Sequence, residues 1–223
     1  MRLNKCVRCG LVNALADETC RRCRAQLNSS EVAEEPSGEE RPEPRTVGRR
    51  LAWIAATTLL LLFIGYMSLL LTSEDLTYEQ NKVVVSAIAV LTQKGFDKQV
   101  FVLNRLVKYR GTDNWWNRFT GHREAYAATN FPFEVLTLYP EFFNHSTSDT
   151  ERAAILLHET YHLLGSGEQA ALDGVWRNKR QLGWTADEYG HTRVWNSTKE
   201  LTMSHLPHLF SCGPEGKSDC TSN

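Results

Sequence analysis

The sequence lacks a dominant charge. Its 223 residues carry 25 Lys and Arg against 26 Asp and Glu, a formal net charge of −1. No global field therefore steers the chain toward nucleic acid or toward acidic substrates. It has no internal repeat, which removes stacked-repeat architectures. Cysteine is missing from the whole middle of the chain: four of the six lie in the first 23 residues and two in the last 12. Residues 1–27 contain no aromatic side chain, so they offer no platform for stacking bases. Charge is absent over the 21 residues from Leu51 to Leu71.

That uncharged run is the first positive feature. As a helix it would be about 31 Å long, the hydrocarbon thickness of a bilayer. A core helix is seldom apolar on every face for that length, and the run lies too far from residue 1 for a cleaved signal peptide. Arg45, Arg49 and Arg50 precede it, and Glu74 and Asp75 follow it. The positive-inside bias places the N-terminus in the cytoplasm and residues 76–223 in the periplasm or outside the cell. The expectation is a single-pass membrane protein.

Before the span the composition changes twice. Residues 28–44 carry six Glu against one Arg, together with Pro36, Pro42 and Pro44. So few apolar residues cannot offset the entropy of ordering, and 28–50 is expected to be a disordered tether. Residues 1–27 hold Cys6-x-x-Cys9 and Cys20-x-x-Cys23, separated by ten residues. Four thiolates at this spacing can close a tetrahedral Zn²⁺ site, and so short a segment needs the metal to fold. Disulfide or redox chemistry is the other reading of these cysteines. The segment resembles the short zinc ribbons at the ends of many bacterial membrane proteins. Arg8, Arg21, Arg22 and Arg24 form a solvated basic face or a docking surface for a cytoplasmic protein partner. On the far side of the membrane Cys212 and Cys220 can pair as a disulfide or remain free thiols.

The outer segment is organised around His158-Glu159-Thr160-Tyr161-His162. Four residues apart on a helix, His158 and His162 project from one face and can share a Zn²⁺. Glu159 lies near enough to act as a base on the metal's water. Ser148-Asp149-Thr150-Glu151 reads as a capping box that starts this helix, with Glu151 reaching back to Ser148. The apolar run Ala153–Leu157 buries it, and Gly165 and Gly167 stop it after Leu164.

On these residues the outer segment resembles the H-E-x-x-H zinc metallopeptidases. The continuation reads H-E-x-x-H-x-x-G-x-x-E, the metzincin spacing with Glu168 in place of the usual third His, while the long helix predicted after Glu168 is closer to the gluzincins. The resemblance implies an α+β, zincin-like domain over 76–223. In it His158, His162 and Glu168 hold a catalytic Zn²⁺ and Glu159 is the general base. Asp187, Glu188 and His191 stand as alternative third ligands. Leu201-Thr202-Met203-Ser204-His205 suggests a Met-turn beneath the metal. His205 is the candidate that polarises the scissile carbonyl, with His191, His208 and Tyr189 as others. The resemblance also implies an edge strand upstream that aligns an extended peptide, here 131–139.

Other elements follow from pattern alone. Thr77–Lys94 predicts a helix ended by Gly95, and Gln99–Val107 a strand or a helix. Trp115 and Trp116 either cap the core or line a groove, with the core preferred. Gln169–Leu182 predicts a helix whose start also suits Glu168. The function expected is a membrane-anchored zinc peptidase acting on a peptide or protein. The alternative is a non-catalytic adaptor whose outer domain recognises a ligand while the ribbon docks a partner.

Overall fold

In the computed structural model, the residues described are 4–14, 16–27, 47–121, 125–213 and 218–221. Most of the expected tether, 28–46, lies outside them. Its last residues do not belong to a tether at all: Val47–Leu71 is one helix, α1, of 25 residues. The chain divides into two units, Met1–Ile54 and Ala55–Asn223.

In the first unit a two-residue hairpin, β1 (Asn4–Lys5) and β2 (Val12–Asn13), brings the first cysteine pair to a turn. Each cysteine pair folds the same way. Gly10 N–H donates to Cys6 C=O and Arg24 N–H to Cys20 C=O, both at 2.9 Å. Gly10 (φ +75°) and Arg24 (φ +58°) occupy the same left-handed place in the two turns. α1 is long and apolar enough to cross a membrane.

The second unit is α+β, mostly helical with one small sheet. Its axis is α6 (Asp149–Leu163), in which Ala153 to Leu157 are all buried. A helix buried around most of its circumference must be packed from several sides, and α6 packs against α2 (Tyr78–Gln93), α7 (Glu168–Leu182) and strand β4 (Ala127–Asn130). α2 begins with a complete Thr77–Gln80 capping box and ends before Gly95, which is left-handed at φ +78°. The stretch 99–107 is mostly helix: α3 spans Asp97–Arg105, and strand β3 follows at Lys108–Arg110.

The sheet corrects one expectation. Strand β5 (Val135–Leu138) is not an edge but the centre of the order β3-β5-β4, parallel to β3 and antiparallel to β4. All four of its residues are buried, as in a strand covered on both faces. The edges are β3 and β4, and β4 pairs with β5 from Ala127↔Leu138 to Asn130↔Val135.

A second correction concerns Trp115 and Trp116. They lie on the short helix α4 (Trp115–Thr120) and are 44% and 47% exposed, so they do not cap the core. That role falls to Trp176, Trp184 and Trp195, which cluster with ring centroids 4.8–6.5 Å apart. Burying each such ring contributes on the order of 2–3 kcal/mol. Trp195 belongs to α9 (Arg193–His205), which starts at the N-cap Thr192. The expected Met-turn is therefore helix, and Met203 is exposed on it. Cys212 and Cys220 are joined as a disulfide beyond α9.

Candidate functional site

Ser148 caps α6 as expected, accepting from Glu151 N–H at 3.3 Å. The Glu151 carboxylate does not return to Ser148. Fully buried, it accepts from Thr147 N–H (2.6 Å), from the Thr147 hydroxyl (2.7 Å) and from the Thr192 hydroxyl. A buried carboxylate needs such donors, and these pin the start of α6 to the start of α9.

The other end of α6 builds the site. Gly165 N–H donates to His162 C=O (2.9 Å) and Ser166 N–H to Tyr161 C=O (2.8 Å), with Gly165 left-handed at φ +79°. This is a Schellman closure, and it turns the chain sharply. Two residues later α7 starts with Glu168, behind the N-cap Gly167. α7 runs close to α6 because Gly174 has no side chain: a Cβ there would lie 2.1 Å from the Tyr161 ring.

The turn also aims these side chains. His162 Nδ1 is 3.0 Å from Ser166 C=O, an acceptor, so Nδ1 carries the hydrogen and Nε2 faces the cluster with its lone pair free in the neutral ring. His162 Nε2 is 3.1 Å from His158 Nε2 and 3.1 Å from Glu168 Oε2, and His158 Nε2 is 3.6 Å from Glu168 Oε1. These three side chains could hold a metal ion. The imidazoles of His158 and His162 hold the Glu168 carboxyl far below the usual carboxylate range. Reciprocally, Glu168 raises the His162 imidazole above its ordinary value, against the effect of burial.

Glu159 is 6% exposed and lines the same cavity, of about 580 Å³, as His158, His162 and Glu168. Its Oε2 accepts from the Thr129 hydroxyl at 2.6 Å. Thr129 lies on β4, and residues 125–129 form one wall of the cavity. Val194, Ser197, Thr198 and Leu201 of α9 also line it. The Tyr126 hydroxyl is 3.4 Å from Ser197 Oγ.

The structure does not bring the remaining candidates here. His205 is exposed at the end of α9 and His208 is exposed just beyond it, and neither lines the cavity. Asp187, Glu188 and His191 are also exposed and outside it. Tyr189 is buried, with its hydroxyl accepting from Ser148 Oγ at 3.4 Å. Thr129 and Tyr126 were not among the sequence candidates. A threonine 30 residues from Glu159 carries no local signal; only the pairing of β4 with β5 delivers it.

In the first unit Cys6, Cys9, Cys20 and Cys23 form a second cluster that could hold a metal ion. Cys6 Sγ is 3.6 Å from Cys23 Sγ, and Cys9 Sγ is 3.4 Å from Cys20 Sγ. Burial raises the Cys20 thiol, but hydrogen bonds from the Cys23 and Arg22 N–H groups, together with those from the Cys9 and Cys6 thiols, bring it down to about 6.

Comparison of the chain with protein-family models, with curated proteins and with solved structures finds no match.

Proposed function

We propose that the chain is a membrane-anchored zinc peptidase, with His158, His162 and Glu168 as metal ligands and Glu159 as general base. The spacing of the three ligand side chains carries this reading. Donors about 2.0–2.1 Å from a tetrahedral zinc lie about 3.3 Å from one another. The separations here are 3.1, 3.1 and 3.6 Å. With only three protein ligands on a cavity wall, a bound zinc would keep one position for water, as a catalytic rather than a structural site requires.

Bound there, zinc would supply Lewis acidity and bring a coordinated water toward ionisation at neutral pH. The chain does the rest. Glu159 takes the water's proton and delivers it to the leaving amine. The Thr129 hydroxyl occupies one carboxylate oxygen of Glu159 and leaves the other to work. The free edge of β4 receives an extended peptide through main-chain hydrogen bonds, the role expected earlier of 131–139. Tyr126, inside the cavity, replaces His205 as the donor to the developing oxyanion.

The four cysteines hold a second, structural zinc. Their cross-pair sulfur distances of 3.6 and 3.4 Å approach the roughly 3.8 Å expected around a tetrahedral ion. α1 is the membrane span, with the ribbon cytoplasmic and the catalytic domain outside. A Cys212–Cys220 disulfide beyond the span and reduced cysteines before it accord with that topology.

The test uses the full chain purified in detergent micelles. Metal analysis should give two zinc ions per chain, and a peptide mixture should be cleaved in a chelator-sensitive way. Glu159→Gln should keep both ions and lose cleavage. Equal cleavage by that variant would overturn the assignment of the base. Two bound zincs with no cleavage of any peptide would favour the adaptor.

A further inference from the structure

The junction between α1 and the domain that follows it is stitched rather than hinged. Arg110, 6% exposed on β3, donates from its guanidinium to Leu70 C=O (2.6 Å), to the Ser73 hydroxyl (2.9 Å) and to Ser73 C=O, and it pairs with Asp75. It thereby caps the carbonyls at the end of α1. Glu74 N–H donates to the Thr112 hydroxyl (2.8 Å), and Trp115 N–H to the Thr72 hydroxyl (3.1 Å). Arg118 reaches Thr72 C=O at 2.6 Å. The last turn of α1 is one body with β3 and α4.

This body reaches back along the helix. Trp115 Nε1 donates to Ser68 Oγ at 2.9 Å, three residues before the end of α1. The Phe133 ring lies 3.0 Å from where a Cβ on Gly65 would stand, six residues before that end. At 1.5 Å per residue, Phe133 sits about 9 Å down the helix from Leu71. Beside these contacts Trp116 (47% exposed) and Phe119 (81%) stand open. Phe131, two residues from Phe133, is also open at 60%, touches the position of Gly165 and lines the cavity. Exposed tryptophans and phenylalanines flanking the end of an apolar span suit the headgroup layer, where one ring edge is wet and the rest apolar.

We propose that α4 and the Phe131 loop are seated in the bilayer interface, so that the cavity opens at the membrane surface. The occupant of this exposed apolar face is lipid, and its continuity with α1 identifies it. The proposal rests on reading α1 as a membrane span. It narrows the substrate class of the proposed peptidase to peptide segments lying against the membrane.

Tryptophan emission tests it in full-length protein reconstituted in phosphatidylcholine vesicles brominated at the upper end of their acyl chains. Trp176, Trp184 and Trp195 are buried in the core, and Trp53 belongs to α1. Trp53→Phe removes the span's own reporter and leaves α4 untouched. The expected result is bromine quenching of roughly a quarter or more of the emission of this variant, and at least about a threefold drop in that fraction in W53F/W115F/W116F. A wild-type protein quenched through Trp53, with W53F unquenched, would overturn the seating while leaving the span intact. Absence of quenching in the wild type would overturn the span and the seating together.

Discussion

The two candidate metal clusters differ in what surrounds them. In the ribbon four sulfurs face one another, and Cys6 and Cys20 are 2% and 1% exposed. The ribbon's described residues contribute only those two cysteines to the hydrophobic interior. In the second unit three candidate donors sit on the wall of a cavity, at the surface of a core built from α2, α6, α7 and α9. A fold without a core needs its metal, whereas a fold with one can leave its metal partly unligated for chemistry. On the proposed reading, the four-cysteine unit should need its metal to fold, and the second unit should need its metal only for activity.

The widest separation should come from removing a ribbon ligand. Structural zinc contributes on the order of 10 kcal/mol to folding such a segment. Cys20→Ser should therefore unfold residues 4–27 and release one zinc, while peptide cleavage by the detergent-solubilised chain stays within about twofold of wild type, since general-base chemistry at Glu159 is untouched. Protease nicking within the ribbon and metal content read this directly. Glu159→Gln should do the reverse, with a loss of about 10³-fold or more in kcat and no change in zinc or melting temperature.

These contrasts were readable in the sequence where the determinants are local. Two histidines four apart on a helix, two cysteine pairs and a 21-residue uncharged run need no knowledge of the rest of the chain. The approach of Glu168 to the two histidines was readable because Gly165 supplies the left-handed turn within the same short segment. What failed was set by pairing at a distance. Val135–Leu138 read as an edge because 131–139 precedes the helix, yet its three apolar residues in four, without polar alternation, belong to a strand covered on both faces. Met203 and His205 match a Met-turn in local sequence, but the N-cap Thr192, eleven residues before Met203, decides their structure. Its side chain accepts from Trp195 N–H at 3.3 Å and starts a helix that runs through both.

A smaller effect probes whether the outer domain stands on its core. Lys179, 4% exposed on α7, pairs with Asp219 at 2.9 Å. Burial lowers the Lys179 ammonium. Burial would raise Asp219, but hydrogen bonds from Thr221 and Lys179 hold it below its ordinary value. Lys179→Ala should cost about 2–3 kcal/mol, seen as a lower melting temperature with or without chelator. A carboxylate with a depressed folded value contributes stability above its unfolded value of about 3.9, and that contribution is lost as pH falls through the folded value. The wild-type domain should thus lose melting temperature below about pH 4, and the variant should show a shallower loss there.

Thr129 tests how tightly the site is held. It is a positioning residue that acts through Glu159. Thr129→Val keeps the shape and removes the donor, so kcat should fall about tenfold with KM little changed. Thr129→Ser should restore kcat. A Val variant with wild-type kcat would show that Glu159 is placed by α6 alone.

The finest probe returns to the ribbon and sets its two turns against each other. Gly10 and Arg24 hold the same left-handed place, but only glycine does so without a side-chain penalty. An L-residue there costs roughly 1–2 kcal/mol, of which glycine's greater unfolded freedom takes back part. Arg24→Gly should therefore stabilise the metal-loaded ribbon by about 0.5–1 kcal/mol, read as a two- to fivefold gain in zinc affinity against a competing chelator. Gly10→Arg should lose affinity by a similar factor or more. Because the ribbon's folding and its metal binding are one equilibrium, a backbone change that touches no sulfur shifts the affinity. The outer site has no such coupling, and Gly174→Ala on α7 should alter cleavage through the Tyr161 contact while leaving the domain folded without metal.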